Sequence, residues 1–241
     1  MTVTAQPSQQ HWVVIPAAGR GRRMGSERPK QYLHLAGRTV LEHVLRRFAS
    51  NPQIAGVMVV LAADDSDWPQ LKLNSHNSRL PLWTTTGADE RCRSVWAGLN
   101  ALQAVAAPDD WVLVHDAARP CLHPEDLQRL LDSLRDDPVG GLLAVPVRDT
   151  MKRADAQGRV LATEDRSALW HAQTPQMFRY QLLCQALQAS FDQGYEVTDE
   201  ASALEAAGYA PRLVQSQHSN LKLTTPEDLA YAEYCLHHLP V

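Results

Sequence analysis

The sequence lacks the features that mark several common classes of protein. Its four cysteines are widely spaced and form no CxxC pair, which argues against a disulfide framework or a zinc site and favours a reducing compartment; they are Cys92, Cys121, Cys184 and Cys235. No apolar run is long enough to span a bilayer. The formal net charge of -4 gives no overall attraction to nucleic acid. We therefore expect a globular, cytoplasmic protein that binds neither nucleic acid nor membranes.

Two common nucleotide-binding motifs are missing as well. There is no GxxxxGK[ST] segment, and the glycines at 19, 21 and 25 do not form GxGxxG. The first apolar run is followed instead by PAAGRGRRM at residues 16–24, and then by Arg28 and Lys30. Glycine lets a backbone approach a ligand closely, and the N–H groups and cations of such a loop favour negative charge. The loop predicts a polyphosphate site; the alternative is a simple turn with solvated arginines.

Short apolar runs alternate along the chain with longer stretches of helical periodicity. The composition of buried strands is found in four runs, 12–15, 56–62, 111–115 and 141–147. This alternation predicts an α/β fold in one domain, residues 11–241, with a mostly parallel central sheet. Residues 1–10 are polar and are expected to form a disordered tail. Ligands of such sheets bind beyond the carboxyl ends of the strands, where the loop at 16–24 would lie.

Sequence signals also mark where helices begin. Thr39 and Glu42 have the spacing of a capping box. Thr225 followed by Pro226 predicts a threonine cap with proline at the first helical position, and Pro124 opens another helix. Apolar residues at helical spacing follow and are expected to face the core; they are Leu127, Leu130, Leu131, Leu134, Leu229, Ala232 and Leu236.

Residues 148–168 interrupt the α/β pattern. They are mostly polar, and the turn sequence DAQG at 155–158 separates the short segments 150–153 and 159–161. We expect a hairpin that projects from the sheet. A ribbon with few core residues needs a partner surface, so the segment predicts a two-fold dimer formed by exchanged arms.

A carboxylate and a guanidinium follow the apolar run at 111–115. Asp116 could bind a cation or a substrate hydroxyl, and Arg119 a phosphate. The alternative is a local salt bridge between the two. His115 alternates to the opposite side of the strand and is expected to pack in the core, and neither His123 nor His171 is favoured as a base.

Three further segments fit either a site or ordinary structure. Residues 87–94, GADERCRS, follow a strand-like run at 82–86 and have the pattern of a helix start capped by Asp89. Residues 198–202, TDEAS, have a similar capping pattern. Residues 220–224, NLKLT, have the pattern of a short strand with one inward lysine, although a lone lysine is usually at the surface.

Taken together and in this order, these segments closely resemble the 2-C-methyl-D-erythritol 4-phosphate cytidylyltransferase family. The resemblance runs from Val13 to about Tyr234. The loop by itself indicates only the wider nucleotidyltransferase superfamily. The closer resemblance rests on six motifs: PKQY at 29–32, HDAARP at 115–120, PVRDT at 146–150, LW at 169–170, TPQ at 174–176 and TDEAS at 198–202.

This resemblance implies transfer of CMP from CTP to the phosphate of methylerythritol phosphate, with release of pyrophosphate. It also implies Mg²⁺ or another divalent cation as cofactor, and a homodimer of single Rossmann-like nucleotidyltransferase domains whose protruding β-arm, residues 148–168, is used for dimerisation. The residue chemistry agrees, since in-line attack at the α-phosphorus is helped by positioning and by cations. A phosphate monoester is already anionic near neutral pH, so no Ser/His or Cys/His pair is needed.

The resemblance further implies roles for individual residues. Arg23 and Lys30 would stabilise the transition state at the α-phosphate, while Lys222 and Arg166 would orient the acceptor, with Arg166 reaching in from the neighbouring subunit. The acceptor site would be lined by Asp116, Arg119, Thr150 and Thr198. Cytosine and ribose would be bound by backbone and short polar groups of Pro16, Ala17, Ala18, Gly19, Ala88, Asp89, Ser94 and Ala117. The metal ligands stay unknown, with Asp116 as the candidate.

The sequence departs from the family pattern at one position in this set. Ala88 stands where the family commonly has a second glycine after Gly87. The chain length leaves no room for the cyclodiphosphate synthase domain that follows in fused homologues, so we expect a monofunctional enzyme.

Two other functions stay open at this point. A ribitol 5-phosphate cytidylyltransferase would share the fold and CTP and differ in a few acceptor contacts. The run at 198–200 and the region of Trp170 favour the methylerythritol enzyme. A catalytically silent nucleotide-binding regulator would share the fold, but it would not need Arg23, Lys30 and Lys222 together.

Overall fold

The computed structural model describes residues 9–19, 28–71 and 80–240. The strands are β1 His11–Pro16, β2 His34–Leu35, β3 Arg38–Thr39, β4 Ile54–Leu61, β5 Leu82–Thr86, β6 Trp111–Val114, β7 Gly140–Pro146, β8 Met151–Ala154, β9 Val160–Glu164, β10 Trp170–Arg179 and β11 Arg212–Gln215. The α-helices are α1 Val40–Ala49, α2 Arg91–Leu102, α3 Pro124–Leu134, α4 Tyr180–Asp192, α5 Glu200–Ala206 and α6 Glu227–His238. Every helix of the described residues is too short or too polar to cross a membrane.

Seven strands form one twisted central sheet in the order β11-β7-β10-β6-β1-β4-β5. The pairs β1–β4, β1–β6, β4–β5 and β7–β11 are parallel, and only β10 runs antiparallel to its neighbours β6 and β7. The predicted α/β fold with a mostly parallel sheet is therefore confirmed. The four strands expected from apolar runs and the strand-like run at 82–86 are all present, with ends that differ by one or two residues.

The apolar runs exist because helices cover both faces of the sheet. Side chains of β1 alternate between two cores: Val13 and Ile15 pack with α1 and α3, whereas Trp12 and Val14 pack with α2, α4 and α5. The leucines of α3 are buried as their spacing predicted. A smaller third cluster joins α6 and residue Leu223 to the loop that follows β6, and this cluster holds the segment around Lys222 against the sheet.

Helix α1 begins with the predicted capping box. The Thr39 hydroxyl accepts from the amide of Glu42, and the Glu42 carboxylate accepts from the amide of Thr39. Helix α6 begins one residue later than predicted, at Glu227, with Pro226 and not Thr225 at its N-cap and with no side-chain cap bond. The Asp228 carboxylate accepts from the amides of residues 224 and 225 in the turn before it.

Three parts of the fold differ from the sequence predictions. Strands β10 and β11 were not predicted, and residues 220–224 are irregular chain outside any strand. Residues 1–8 of the predicted disordered tail lie outside the described residues. Its last residue, Gln10, is tied into the fold, since its amide donates to the Asp110 carboxylate at 2.9 Å.

The hairpin predicted within residues 148–168 is confirmed. Strands β8 and β9 pair antiparallel in a separate two-stranded sheet, and Gly158 adopts a φ of 77° at the turn. Most of its side chains are exposed, including Val160 and Leu161 at 63% each.

Close packing of α2 on the sheet generates the first prediction. A Cβ at Gly98 would lie 2.7 Å from a methyl of Val14 and 2.8 Å from a methyl of Val60, both in buried strands. Overpacking costs about 1–3 kcal/mol, and this exceeds or offsets the helix propensity of about 1 kcal/mol that alanine gains over glycine. We expect Gly98→Ala to lower the free energy of unfolding measured in urea.

The exposed position Asn100 on the same helix supplies the matched control. Asn100→Ala gains helix propensity without a clash, so its urea midpoint should stay equal or rise. A rise of the midpoint in Gly98→Ala as well would show that α2 is not held this tightly to the sheet.

Candidate active site

A cavity of about 350 Å³ opens at the carboxyl ends of β1 and β6. This is the edge of an open α/β sheet where ligands bind. It is lined by all eight residues predicted for cytosine and ribose, together with Lys30, Gln31, Glu90, Arg91, Asp116, Ala118, Lys222 and Thr224. Segments separated by up to two hundred residues therefore meet around one space.

The chain after β1 is fixed by backbone and side-chain hydrogen bonds. The amide of Ala17 donates to the carbonyl of Val60 at 2.8 Å, and the buried Gln31 side chain donates to the carbonyls of Ala17 and Gly19 at 2.6 and 3.1 Å. Lys30 lies beside them and its Nζ donates to the carbonyl of Leu223 at 3.0 Å. Residues 20–27, and with them the predicted Arg23, lie outside the described residues.

Residues in the segment 88–94 form another part of the cavity wall. Helix α2 has Glu90 at its N-cap with no side-chain cap bond, so the interpretation of Asp89 as the cap is wrong, and Asp89 lines the cavity instead. The hydroxyl of Ser94 accepts from the amide of Ala88 at 3.0 Å and donates to its carbonyl at 2.9 Å. This pair of bonds closes the turn that leads into α2.

Glycine is required at 87 but not at 88. A Cβ at Gly87 would lie 2.7 Å from the Ser94 hydroxyl and 2.9 Å from the Cβ of Ala18. Ala36 is the only non-glycine residue in the described ranges with a positive φ, so Ala88 has an ordinary backbone conformation. The substitution of alanine for the family's second glycine is therefore accommodated.

Asp116 is the electrostatic centre of the cavity. Its buried carboxylate lies 3.0 Å from Arg91, 2.9 Å from Lys222 and 3.4 Å from Arg119. Burial alone would raise the pKa of Asp116, but the charges of Arg91, Lys222 and Arg119 outweigh it and hold that pKa far below its usual range. The local salt bridge with Arg119 is thus present, as one of three ion pairs.

Two residues of this charge cluster were missed from the sequence. Arg91 opens α2 and donates from Nη1 and Nη2 to both oxygens of Glu200, at 2.7 and 3.1 Å. Glu200 opens α5 and is completely buried. The motifs that contain them were singled out, yet a charged residue in the first turn of a helix is ordinarily solvated, and no pattern indicated that these two face each other.

Lys222 reaches Asp116 from a segment outside any helix or strand. The segment is held by a hydrogen bond from the amide of Leu223 to the carbonyl of Ala118 at 2.9 Å, and by one from Arg119 to the carbonyl of Asn220 at 2.8 Å. The predicted inward lysine is confirmed, although the strand that was to carry it is not.

Four predicted residues do not line the cavity within this chain. Thr150, Arg166 and Thr198 are exposed, and the Arg166 guanidinium donates to the carbonyl of Arg148 inside the arm. Arg119 lies behind Asp116, where burial lowers its pKa more than the nearby carboxylate raises it. Residues 198–202 form the predicted cap, in which Asp199 and Ser202 exchange hydrogen bonds at the start of α5.

His115 is packed in the core, as its position in the strand predicted. The ring is fully buried against the edge of Phe48, and its two nitrogens lie 3.0 Å from the carbonyl of Arg119 and 3.1 Å from the hydroxyl of Thr174. Burial lowers its pKa to about 4, so the ring is neutral near pH 7. His115 is not one of the residues that line the cavity.

Comparisons with known proteins agree with this architecture along nearly the whole chain. The family model described as 2-C-methyl-D-erythritol 4-phosphate cytidylyltransferase matches residues 11–238. Curated proteins of that name are 57% identical over 227 residues in Ectopseudomonas mendocina, covering 93% of this chain and 94% of the relative, and 55% identical over 232 residues in Pseudomonas aeruginosa strain UCBPP-PA14, covering 95% and 96%.

Solved structures give the same result. A crystal structure of 4-diphosphocytidyl-2C-methyl-D-erythritol synthase superposes with a TM-score of 0.82 at 39% identity, covering 96% of this chain and 100% of the other. The 2-C-methyl-D-erythritol 4-phosphate cytidylyltransferase of Thermus thermophilus superposes with a TM-score of 0.77 at 30% identity, covering 95% and 99%. This chain therefore belongs to the 2-C-methyl-D-erythritol 4-phosphate cytidylyltransferase family.

Proposed function

We propose that the cavity at the ends of β1 and β6 is where this chain transfers CMP from CTP to 2-C-methyl-D-erythritol 4-phosphate. The observation that carries the assignment is the convergence, around one space, of Lys30, Lys222, Asp116 and the eight residues predicted for cytosine and ribose. The acceptor phosphate attacks the α-phosphorus in line, a new phosphorus–oxygen bond forms, and pyrophosphate leaves with the bonding electron pair. The product is 4-diphosphocytidyl-2-C-methyl-D-erythritol.

The cations supply the chemistry of this step. Phosphoryl-type transfer places negative charge on the oxygens around the reacting phosphorus, and preorganised cations stabilise that charge. Lys30 is assigned to the α-phosphate together with Arg23. Lys222 is assigned to the acceptor phosphate, because it lines the same cavity, lies 2.9 Å from the Asp116 carboxylate and has 38% of its side chain exposed.

The base pocket is assigned to the two turns that flank the cavity. Residues 16–19, Ala88, Asp89 and Ser94 line the cavity, and the two bonds between Ala88 and Ser94 fix the shape of the second turn. A pocket that pairs with the cytosine amino group rejects uracil, because the wrong base edge leaves buried polar groups unsatisfied.

Asp116 fits the acceptor better than it fits a metal ion. Three cations already surround its carboxylate, so a divalent cation bound there would be repelled by all of them. The described residues contain no group of three or more histidine, cysteine, aspartate or glutamate side chains that could hold a metal. Because magnesium is often bound through substrate phosphates, we assign the expected Mg²⁺ requirement to the triphosphate of CTP.

The arm is assigned to a homodimer. An isolated two-stranded ribbon is marginally stable in water, and this one exposes Val160 and Leu161, with Leu169 and Trp170 exposed where the chain enters β10. A second copy that covers these side chains would bring Thr150 and Arg166 of one protomer toward the cavity of the other. We also assign the enzyme to the cytoplasm, where CTP is available and where its four thiols stay free.

Pyrophosphate release tests the assigned reaction directly. With CTP and Mg²⁺ we expect release with methylerythritol phosphate, and much slower release with ribitol phosphate or when UTP replaces CTP. A preference for ribitol phosphate would keep the chemistry and change the acceptor. An absence of release with either acceptor would identify a silent nucleotide-binding regulator.

Lys30 generates a second prediction for the same assay. We expect Lys30→Ala to lower kcat by about 10²- to 10³-fold, because the cation acts mainly in the transition state. The dissociation constant for CTP, measured by calorimetry, should rise less than about tenfold. The exposed Arg135, paired only with Asp132 among the described residues, supplies a cation-removal control, since Arg135→Ala should leave both values unchanged. Equal losses in binding and turnover in Lys30→Ala would contradict the assigned role.

The shared site generates a third prediction. Lys30→Ala and Arg166→Ala are each expected to be nearly inactive alone. After subunit exchange in an equal mixture, half of the dimers are mixed, and each mixed dimer has one intact site if Arg166 acts on the partner. About a quarter of the wild-type activity should therefore return. If Arg166 acts within its own chain, no mixed dimer has an intact site. Differently tagged copies that exchange subunits without any recovery of activity would show this.

A further inference from the structure

Arg91 connects three elements, of which α2 and the loop after β6 border the cavity. It is the first residue of α2, its Nη1 and Nη2 atoms bind the carboxylate of Glu200 at the start of α5, and its Nε donates to Asp116 Oδ1 after β6. A bidentate arginine–carboxylate pair has a defined plane, so Glu200 fixes the direction in which Nε points. Arg91 is consequently held in place before any substrate binds.

The charge of Arg91 is offset by two carboxylates of the protein itself. Burial by itself would lower the pKa of its guanidinium, but Glu200 and then Asp116 outweigh the burial and raise that pKa above its ordinary value. Glu200 is fully buried, and a buried carboxylate without a partner is costly. An arginine neutralised in this way is a poor ligand for a substrate phosphate, even though 28% of its side chain is exposed.

The two oxygens of Asp116 are held by different groups. Oδ1 accepts from Arg91, whereas Oδ2 lies 2.9 Å from Lys222 and 3.4 Å from Arg119. Lys222 is a flexible, partly exposed point charge, but Arg91 is clamped by two bonds to Glu200. The contact at Oδ1 therefore sets the rotation of the Asp116 carboxylate.

We propose that Arg91 and Glu200 form a positioning pair that orients Asp116 toward the hydroxyl groups of the acceptor and keeps Lys222 directed into the cavity. Glu200 does not line the cavity, and the guanidinium of Arg91, which does, is bonded to Glu200 and Asp116. The inference rests on the proposed placement of the acceptor at Asp116, and it assigns the pair to acceptor recognition.

Glu200→Gln tests the pair with a change of one charge. Glutamine keeps the size of the side chain but loosens the clamp on Arg91, so Asp116 can rotate. We expect kcat/KM for methylerythritol phosphate to fall at least about tenfold, mainly through KM, while KM for CTP changes less than about threefold. A residue that only maintains the fold would change both constants together, which would overturn the proposal.

A double-mutant cycle with Asp116→Asn identifies the path of the effect. If Glu200 acts through Arg91 on Asp116, the Glu200→Gln substitution should add less than about threefold to the loss in kcat/KM already caused by Asp116→Asn. Additive losses would mean that Glu200 and Arg91 act independently of Asp116, or that Arg91 binds substrate directly, and either result would refute the proposed pair.

Two further variants separate positioning from stability. Ala203→Gly destabilises α5 from a buried position that does not line the cavity, and it should lower Tm without changing KM for the acceptor. If Glu200→Gln does not fold, the double variant Arg91→Met, Glu200→Leu replaces the buried ion pair with apolar groups of similar size and should restore the fold. It is expected to retain the raised KM for the acceptor. Wild-type kinetics in that variant would exclude a positioning role for Arg91 and Glu200.

Failure of this inference is distinguishable from failure of the proposed function. A wild-type enzyme that releases no pyrophosphate with methylerythritol phosphate would contradict the function itself. An active wild-type enzyme in which Glu200→Gln leaves the acceptor kinetics unchanged would contradict only the positioning pair.

Discussion

The site depends on one buried carboxylate that is surrounded by cations. Asp116 would be costly to bury in charged form by itself, so its position requires that Arg91, Arg119 and Lys222 all arrive at the same point. Each comes from a different part of the chain: the start of α2, the loop after β6 and the irregular segment before α6. The packing of these three elements and the electrostatics of the cavity therefore both depend on the contacts made by Asp116.

The sequence predicted most of the sheet because most of its strands are buried on both faces. Continuous apolar runs at β1, β4, β6 and β7 have no other common explanation in a chain of this composition. Strand β10 was missed because it begins exposed beside the arm at Trp170 and becomes buried only after His171 and Ala172, so its composition changes along its length. Strand β11 was missed because it is a short edge strand with exposed Arg212 and Gln215 at its ends. With only Val214 buried among its four residues, β11 is too short to show an alternating pattern.

The sequence predicted some residues of the candidate site and missed others. The residues assigned to cytosine and ribose line the cavity because they lie at strand ends or in the turns after them, and the carboxyl edge of a parallel sheet brings such segments together. Arg91 and Glu200 meet across a separation of more than one hundred residues, and only the way α2 and α5 dock on the sheet decides that they do. Local capping rules located both helix starts, although they gave the wrong cap for α2, and such rules contain no information about which first-turn charges will face each other. Thr150 and Arg166 are exposed and do not line the cavity of their own chain, so contacts within one chain do not test the role proposed for them on a second subunit.

A carboxylate at the centre of an anion-binding cavity weakens the positive potential that a phosphate nucleophile and a triphosphate both require. The geometry around Asp116 supplies the physical reason for keeping it. Lysine and arginine side chains have many rotamers, and without a fixed counter-charge they would have to be ordered when the substrate binds. Asp116 orders Lys222 and Arg119 in advance, and Arg91 with Glu200 orders Asp116 in turn. Glu200 offsets the charge of Arg91, and Asp116 offsets the charge of one further cation. The positive charge that is left therefore lies on side chains that can reach the substrate. Preorganised charge is more effective in catalysis than a larger charge that must first be arranged.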